Sequence, residues 1–231
     1  MAPVRVGEMI TSDGRARSRA AGPAERRASE ERDDVEQGAP MNLPTLLAQV
    51  RECTICAPRL SLGPRPVLQA HEDSRVLIAG QAPGRRVHAS GVPFDDPSGD
   101  RLREWMGVDR ETFYDPRSVA ILPMGFCYPG SGRSGDLPPR AECAPAWRAQ
   151  LLARLPKLRL TLVLGAYAQA WHLPDVDTTV TDTVARWRDF LPAIIPLPHP
   201  SPRNRIWLRR NPWFEEEVLP VLRERVRQSL V

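Results

Sequence analysis

Short apolar runs recur along the chain and alternate with stretches of helical period. Arg75-Val-Leu-Ile-Ala-Gly80 predicts a buried strand that runs straight into a Gly/Pro loop. Val119-Ala-Ile-Leu122 predicts a second strand, followed by a long Gly- and Pro-rich loop to Pro139. Leu160-Thr-Leu-Val-Leu164 predicts a third, ending at Gly165, and Ile194-Ile-Pro-Leu197 a fourth that leads into His199. Between them the spacing predicts helices over Leu43–Val50, Leu102–Met106 (opened near Ser98 or Asp100), Ala144–Leu155, from Ala166, and from Pro212 to about Gln228. Strands separated by helices imply parallel pairing, so the expected fold is α/β, a three-layer α/β/α sandwich on a four-stranded parallel sheet. In such sheets ligands gather outside the carboxyl ends of the strands. Gly80–Gly84 and His199–Pro202 each follow a strand, so one cleft is expected to hold both.

Residues 1–40 break this pattern. They hold no aromatic residue, many charges of both signs and no apolar period, a composition that buries too little surface to offset its ordering entropy. They are expected to be a disordered extension, with Met41 as a candidate start and one domain over 41–231.

The whole chain has 231 residues and 42% hydrophobic composition, with no apolar run near the length of a membrane span. No secretory signal is read at the N-terminus. A monomer in the cytoplasm, nucleoid-associated in a prokaryote, is the expectation. The formal net charge is +4, and Lys157 is the single lysine, so the positive charge is nearly all arginine. Arginine suits phosphate, yet a GC-rich genome writes the same bias.

Four cysteines remain: Cys53 and Cys56 as Cys-x-x-Cys, then Cys127 and Cys143 with fifteen residues between them. The second pair is too wide for a zinc ribbon, and no strand precedes Cys53 as a thioredoxin-like pair requires. Four thiolates also suit a cubane iron–sulfur cluster. Spacing alone leaves a metal site and plain buried thiols about equally favoured.

Taken with Gly80-Gln81-Ala82-Pro83-Gly84 and His199-Pro200-Ser201-Pro202-Arg203-Asn204, these cysteines resemble the iron–sulfur branch (family 4) of the uracil-DNA glycosylase superfamily. The likeness runs from about Leu47 to the C-terminus. It implies a monofunctional enzyme that hydrolyses the N-glycosidic bond of uracil in single- or double-stranded DNA. Cys53, Cys56, Cys127 and Cys143 would then hold a 4Fe-4S cluster with a structural role, zinc being the lesser alternative. Gly80–Gly84 resembles motif A, and Phe94 of Gly91-Val-Pro-Phe94 corresponds to the family's base-stacking residue. His199 heads motif B, where a neutral imidazole N–H stabilises the departing uracil anion. The hexapeptide itself resembles the single-strand-selective branch. Ser201, Arg203, Arg205, Ile206, Trp207, Arg209 and Arg210 suit a loop that grips phosphates and wedges into the base stack.

Three positions depart from that family. Ala82 and Gln81 stand where relatives place a carboxylate, and Gln81 orients water but takes no proton. Asp95 and Asp96 are then the candidate water activators. Pro123 stands where relatives carry a uracil-reading asparagine, so base reading is assigned to backbone at Met124 and Gly125, or to Asn204. A competing expectation is a catalytically weak binder of damaged or abasic DNA; an iron–sulfur or zinc protein acting on free nucleotides is a third.

Overall fold

The structure, a computed structural model, describes residues 41–133 and 135–231. The expected extension, 1–40, lies outside the described residues. From Met41 onward the described chain is one unit. It opens with α1 (Leu43–Arg51), where the Asn42 side chain accepts a hydrogen bond from Thr45 N at 2.9 Å. Leu43, Leu46, Leu47 and Val50 form the buried face of this helix, and Cys53 and Cys56 follow its end.

Strand β1 (Val76–Ala79) comes next, buried at every position. After it run α2 (Arg85–Ser90), α3 (Pro97–Met106), α4 (Arg110–Tyr114) and β2 (Val119–Ile121). The expected long loop contains a hairpin, β3 (Ser131–Gly132) and β4 (Gly135–Asp136). Helix α5 (Cys143–Leu152), β5 (Leu160–Leu164), α6 (Gly165–His172), α7 (Val180–Ala185) and β6 (Ile194–Leu197) complete the layers. Helix α8 (Arg205–Arg210), a π-helical turn over Phe214–Val218 and α9 (Leu219–Leu230) close the chain.

The four main strands pair in the order β2-β1-β5-β6, all parallel. Side chains alternate across a strand, and the core divides accordingly. Val76 and Ile78 of β1 pack with Leu102, Trp105, Phe214 and Leu222 on one face. Leu77, from the other face, packs with Leu46, Val50, Phe126 and Leu151. Helices therefore cover both sides, which is why these strands read as continuous apolar runs rather than alternating ones. Pro196 sits in β6, an edge strand, where its missing N–H breaks no central ladder.

Strand β1 has β2 on one side and β5 on the other, so the chain winds in opposite directions from it. A crevice opens beyond the carboxyl end at such a reversal.

Candidate active site

A cleft of about 540 Å³ lies at that reversal. Gly80–Gly84 leaves β1, Pro123 follows β2, and His199 follows β6, and all of them line it. The two loops expected to share one cleft do share it.

His199 is fixed by its own loop. Its Nδ1 accepts from Ser201 N at 3.2 Å, which leaves Nε2 to carry the ring proton in the neutral form. Burial pushes the imidazole below its usual range, while Asp96 and Asp136 act in the other direction. Asn204 donates Nδ2 to the His199 carbonyl at 2.7 Å, and Arg101 of α3 donates to the Ser201 carbonyl at 3.0 Å. The loop is thus tied to itself and to a helix across the cleft.

Phe94 also lines the cleft. Its φ is +55°, the one positive value at a non-glycine residue among the described residues, a conformation that costs about 1–3 kcal/mol. The neighbours hold it there. A Cβ added at Gly99 would stand 1.8 Å from the Phe94 carbonyl oxygen, and one at Gly80 would stand 3.5 Å from the ring edge. Phe113 meets the same ring edge-on, with centroids 6.2 Å apart.

The carboxylates separate. Asp95 lies outside the cleft lining, in an ion pair with Arg110 at 3.1 Å. Asp96 lines the cleft and caps α3, its Oδ1 accepting from Ser98 N and Gly99 N at 2.9 Å each. A third carboxylate, Asp136 of β4, also lines the cleft, and no sequence expectation had singled it out. Its only signal is its setting, Gly135-Asp136 in a glycine-rich stretch bracketed by two cysteines.

Gln81 lines the cleft, but its amide Nε2 is given to the Leu137 carbonyl at 3.0 Å. Met124 is buried, and its N–H donates to Gly80 O at 2.8 Å; Gly125 N donates to Gln81 O at 3.0 Å. Those two N–H groups fasten motif A to the end of β2, so they are not left to read a base edge. Ala82 and Pro83 stay on the cleft wall, as does Pro123.

Past His199, Ser201 caps a short turn by accepting from Arg203 N, and Arg203 and Asn204 line the cleft. Arg205, Arg209 and Arg210 of α8 are exposed. Trp207 differs from expectation: it turns inward, donates Nε1 to Thr181 Oγ1 at 2.8 Å and packs edge-on against Trp213 and Phe214. Ile206, 55% exposed, is the apolar side chain that this segment presents outward.

The four cysteines, far apart in sequence, line one small apolar pocket with Leu60, Phe126 and Trp147. Among the described residues no set of three or more His, Cys, Asp or Glu is arranged to hold a metal ion. N–H donors nonetheless point at two of the sulfurs: Trp147 Nε1 to Cys53 Sγ and Phe126 N to Cys143 Sγ, both at 3.3 Å. Such donors favour thiolate over thiol. Burial pushes the Cys127 thiol up to about 11 and Cys143 to about 12, so the free thiols stay protonated and a bound metal would have to displace those protons. Arg59 and Glu142 form an ion pair between the two cysteine segments. The donor set fits a thiolate-bound group.

Next to this pocket, Arg148 of α5 is 1% exposed. It donates NH1 to the Leu122 carbonyl at 2.7 Å and to that of Pro123 at 3.3 Å, and its NH2 lies 2.6 Å from His172 Nε2. Sequence reading passed over it, since nothing local marks an arginine as buried.

Comparison with known proteins agrees with this arrangement. The family model described as the uracil DNA glycosylase superfamily matches residues 68–223. A type-4 uracil-DNA glycosylase of Thermotoga maritima is 27% identical over 158 residues, covering 66% of this chain and 78% of that protein.

Proposed function

We propose a function from one established premise, that the chain belongs to the uracil-DNA glycosylase superfamily: it hydrolyses the bond between uracil and deoxyribose in DNA and leaves an abasic site. The observation that carries this reading is His199, held neutral in the cleft with Nδ1 occupied by Ser201 N. An imidazole so fixed presents Nε2–H as a donor, and a preorganised donor stabilises the negative charge that grows on the uracil ring as the bond breaks. The target nucleotide must leave the base stack to reach the cleft. Phe94 then stacks on the extruded base, and Ile206 fills the gap in the duplex while Arg203, Arg205, Arg209 and Arg210 hold phosphates. Asn204, its Nδ2 committed to the His199 carbonyl, offers Oδ1 as an acceptor for uracil N3–H. Pro123 supplies shape without a side-chain hydrogen bond.

Cys53, Cys56, Cys127 and Cys143 would supply the four thiolates that hold a 4Fe-4S cluster. When bound, it would supply a structural cross-link between the end of α1 and the segment leading to α5. The gathering of the four cysteines around one pocket and the N–H donors at two sulfurs support this assignment.

The test uses uracil-containing single- and double-stranded oligonucleotides, with alkali to break any abasic site. Strand breaks that disappear in His199→Ala are expected. Retarded but unbroken DNA would instead favour a binder of damaged DNA. Brown protein with iron and sulfide in equal amounts is expected; colourless protein with stoichiometric zinc would refute the cluster.

A further inference from the structure

We propose that Asp136 is the catalytic carboxylate of this cleft, and that the segment between Cys127 and Cys143 is the arm that presents it. The inference rests on the glycosylase reading above and deepens it. Motif A here offers no proton acceptor: Ala82 is apolar, and Gln81 is an amide already bound to Leu137. Asp95 faces Arg110 outside the cleft. Asp96 and Asp136 remain, and both approach the same point. A Cβ built on Gly84 would stand 3.5 Å from Asp136 Oδ2 and 3.8 Å from Asp96 Oδ2. The lack of a side chain at Gly84 keeps the motif A backbone open to both oxygens.

The two carboxylates differ in what else they do. Asp96 is the cap of α3, with Oδ1 committed to two backbone amides, so its place is set by the needs of a helix. Asp136 sits on a hairpin whose strands are two residues each, far too short to stand alone. Contacts from the cleft loops join contacts within the arm to hold it. Gln81 of motif A donates to the Leu137 carbonyl. Arg203 of motif B lies across Gly135, where φ is +148° and an added Cβ would meet its NH1 at 2.6 Å. Leu137 N donates to Gly130 O at 2.8 Å, and Tyr128 and Ser131 share a hydroxyl contact at 2.6 Å. Gln81, which stands in motif A without a carboxylate, thus anchors the arm that brings the Asp136 carboxylate into the same cleft. Both carboxylates line the same cleft as His199.

The step balances with water alone. The water oxygen forms a bond to C1′ as the C1′–N1 bond breaks. The bonding pair leaves with uracil, whose developing charge faces His199 Nε2–H. The water proton passes to the Asp136 carboxylate and from there to solvent. The products are the abasic sugar, uracil anion and a regenerated carboxylate.

Asp136→Asn, nearly the same shape, is the decisive variant, compared with Asp96→Asn in single-turnover release of uracil from a single-stranded oligonucleotide. Asp136→Asn is expected to slow release about 100–10,000-fold, with oligonucleotide affinity, visible absorbance and melting temperature as in the unmodified protein. Asp136→Ala is expected to regain rate when formate is added, because a small carboxylate can occupy the vacated position; a structural role would show no such rescue. Release by Asp136→Asn within about threefold of the unmodified rate would overturn this inference alone. So would a full loss in Asp96→Asn with Asp136→Asn active. An unmodified protein that releases no uracil would overturn the glycosylase reading as well, and that result is read before any variant is made.

Discussion

The loop after β6 and the arm between Cys127 and Cys143 both deliver a side chain to one cleft, but they are held by different means. The first leaves a strand of the central sheet and is closed mainly by bonds between residues two to five apart, Ser201 N to His199 Nδ1 and Asn204 Nδ2 to the His199 carbonyl, with one remote tie from Arg101 to the Ser201 carbonyl. The second also leaves a strand of that sheet, β2, but carries Asp136 fifteen residues beyond its end. It depends on long-range contacts: Gln81 to Leu137, Arg203 over Gly135, and the cysteine pocket at its two ends. One half of the cleft is therefore built into the fold, and the other half is conditional on remote partners. The leaving-group side should be robust, and the water side should be the one that a missing cofactor or a loosened anchor disables.

His199→Ala breaks the built-in half, and the largest effect is expected there, a loss of about 100–1000-fold in single-turnover release with little change in DNA affinity. Cys143→Ser attacks the conditional half. It should bleach the visible absorbance, lower release about 10–100-fold, and open the arm to proteases while the sheet still melts cooperatively. Equal protease resistance in Cys143→Ser and the unmodified protein would remove the distinction between the halves.

A third test concerns the joint beneath the arm, where Arg148 meets His172. Burial, then the neighbouring guanidinium, pushes His172 down to about 4, whereas Arg148, lowered to about 10, keeps its charge at neutral pH. The unfolded chain takes a proton on this histidine near pH 6.5 and the folded chain only near 4. Folding is thus unpenalised above 6.5 and loses stability as pH falls through that window, by about 2 kcal/mol after allowance for partial solvent access. Chemical denaturation at pH 7 and pH 4.5 should show this loss, and His172→Gln should lessen it. The smallest effect is expected for Gln81→Ala, which removes one hydrogen bond to the arm and should cost about 0.5–1.5 kcal/mol in the barrier to release.

The same contrast explains what the sequence reveals. The four sheet strands announce themselves because a strand buried on both faces is a short apolar run, and His199 is legible because the residues that fix it are its chain neighbours. Helix α3 opens slightly ahead of the expected Ser98 or Asp100, with Asp96 as its cap and Pro97 as its first residue. Asp136 is silent because its position arises from pairing across the fold, with Gln81 more than fifty residues before it. Gln81 itself misleads: as a residue type it suggests water orientation, yet its amide is taken by a carbonyl on the arm. Trp207 also misleads, since alternation with arginines suggests an outward wedge, while the helical turn of α8 carries it inward and leaves Ile206 outside. Met124 and Gly125 lie beside the cleft loops, but their N–H groups are consumed in fastening two of those loops together.

The most direct measurement is the intact mass of a single-stranded oligonucleotide carrying one uracil, before and after incubation with excess protein. The account predicts stoichiometric loss of the base with gain of a hydroxyl, free uracil in solution, and neither in His199→Ala over the same time. An oligonucleotide that is bound but keeps its full mass would contradict it.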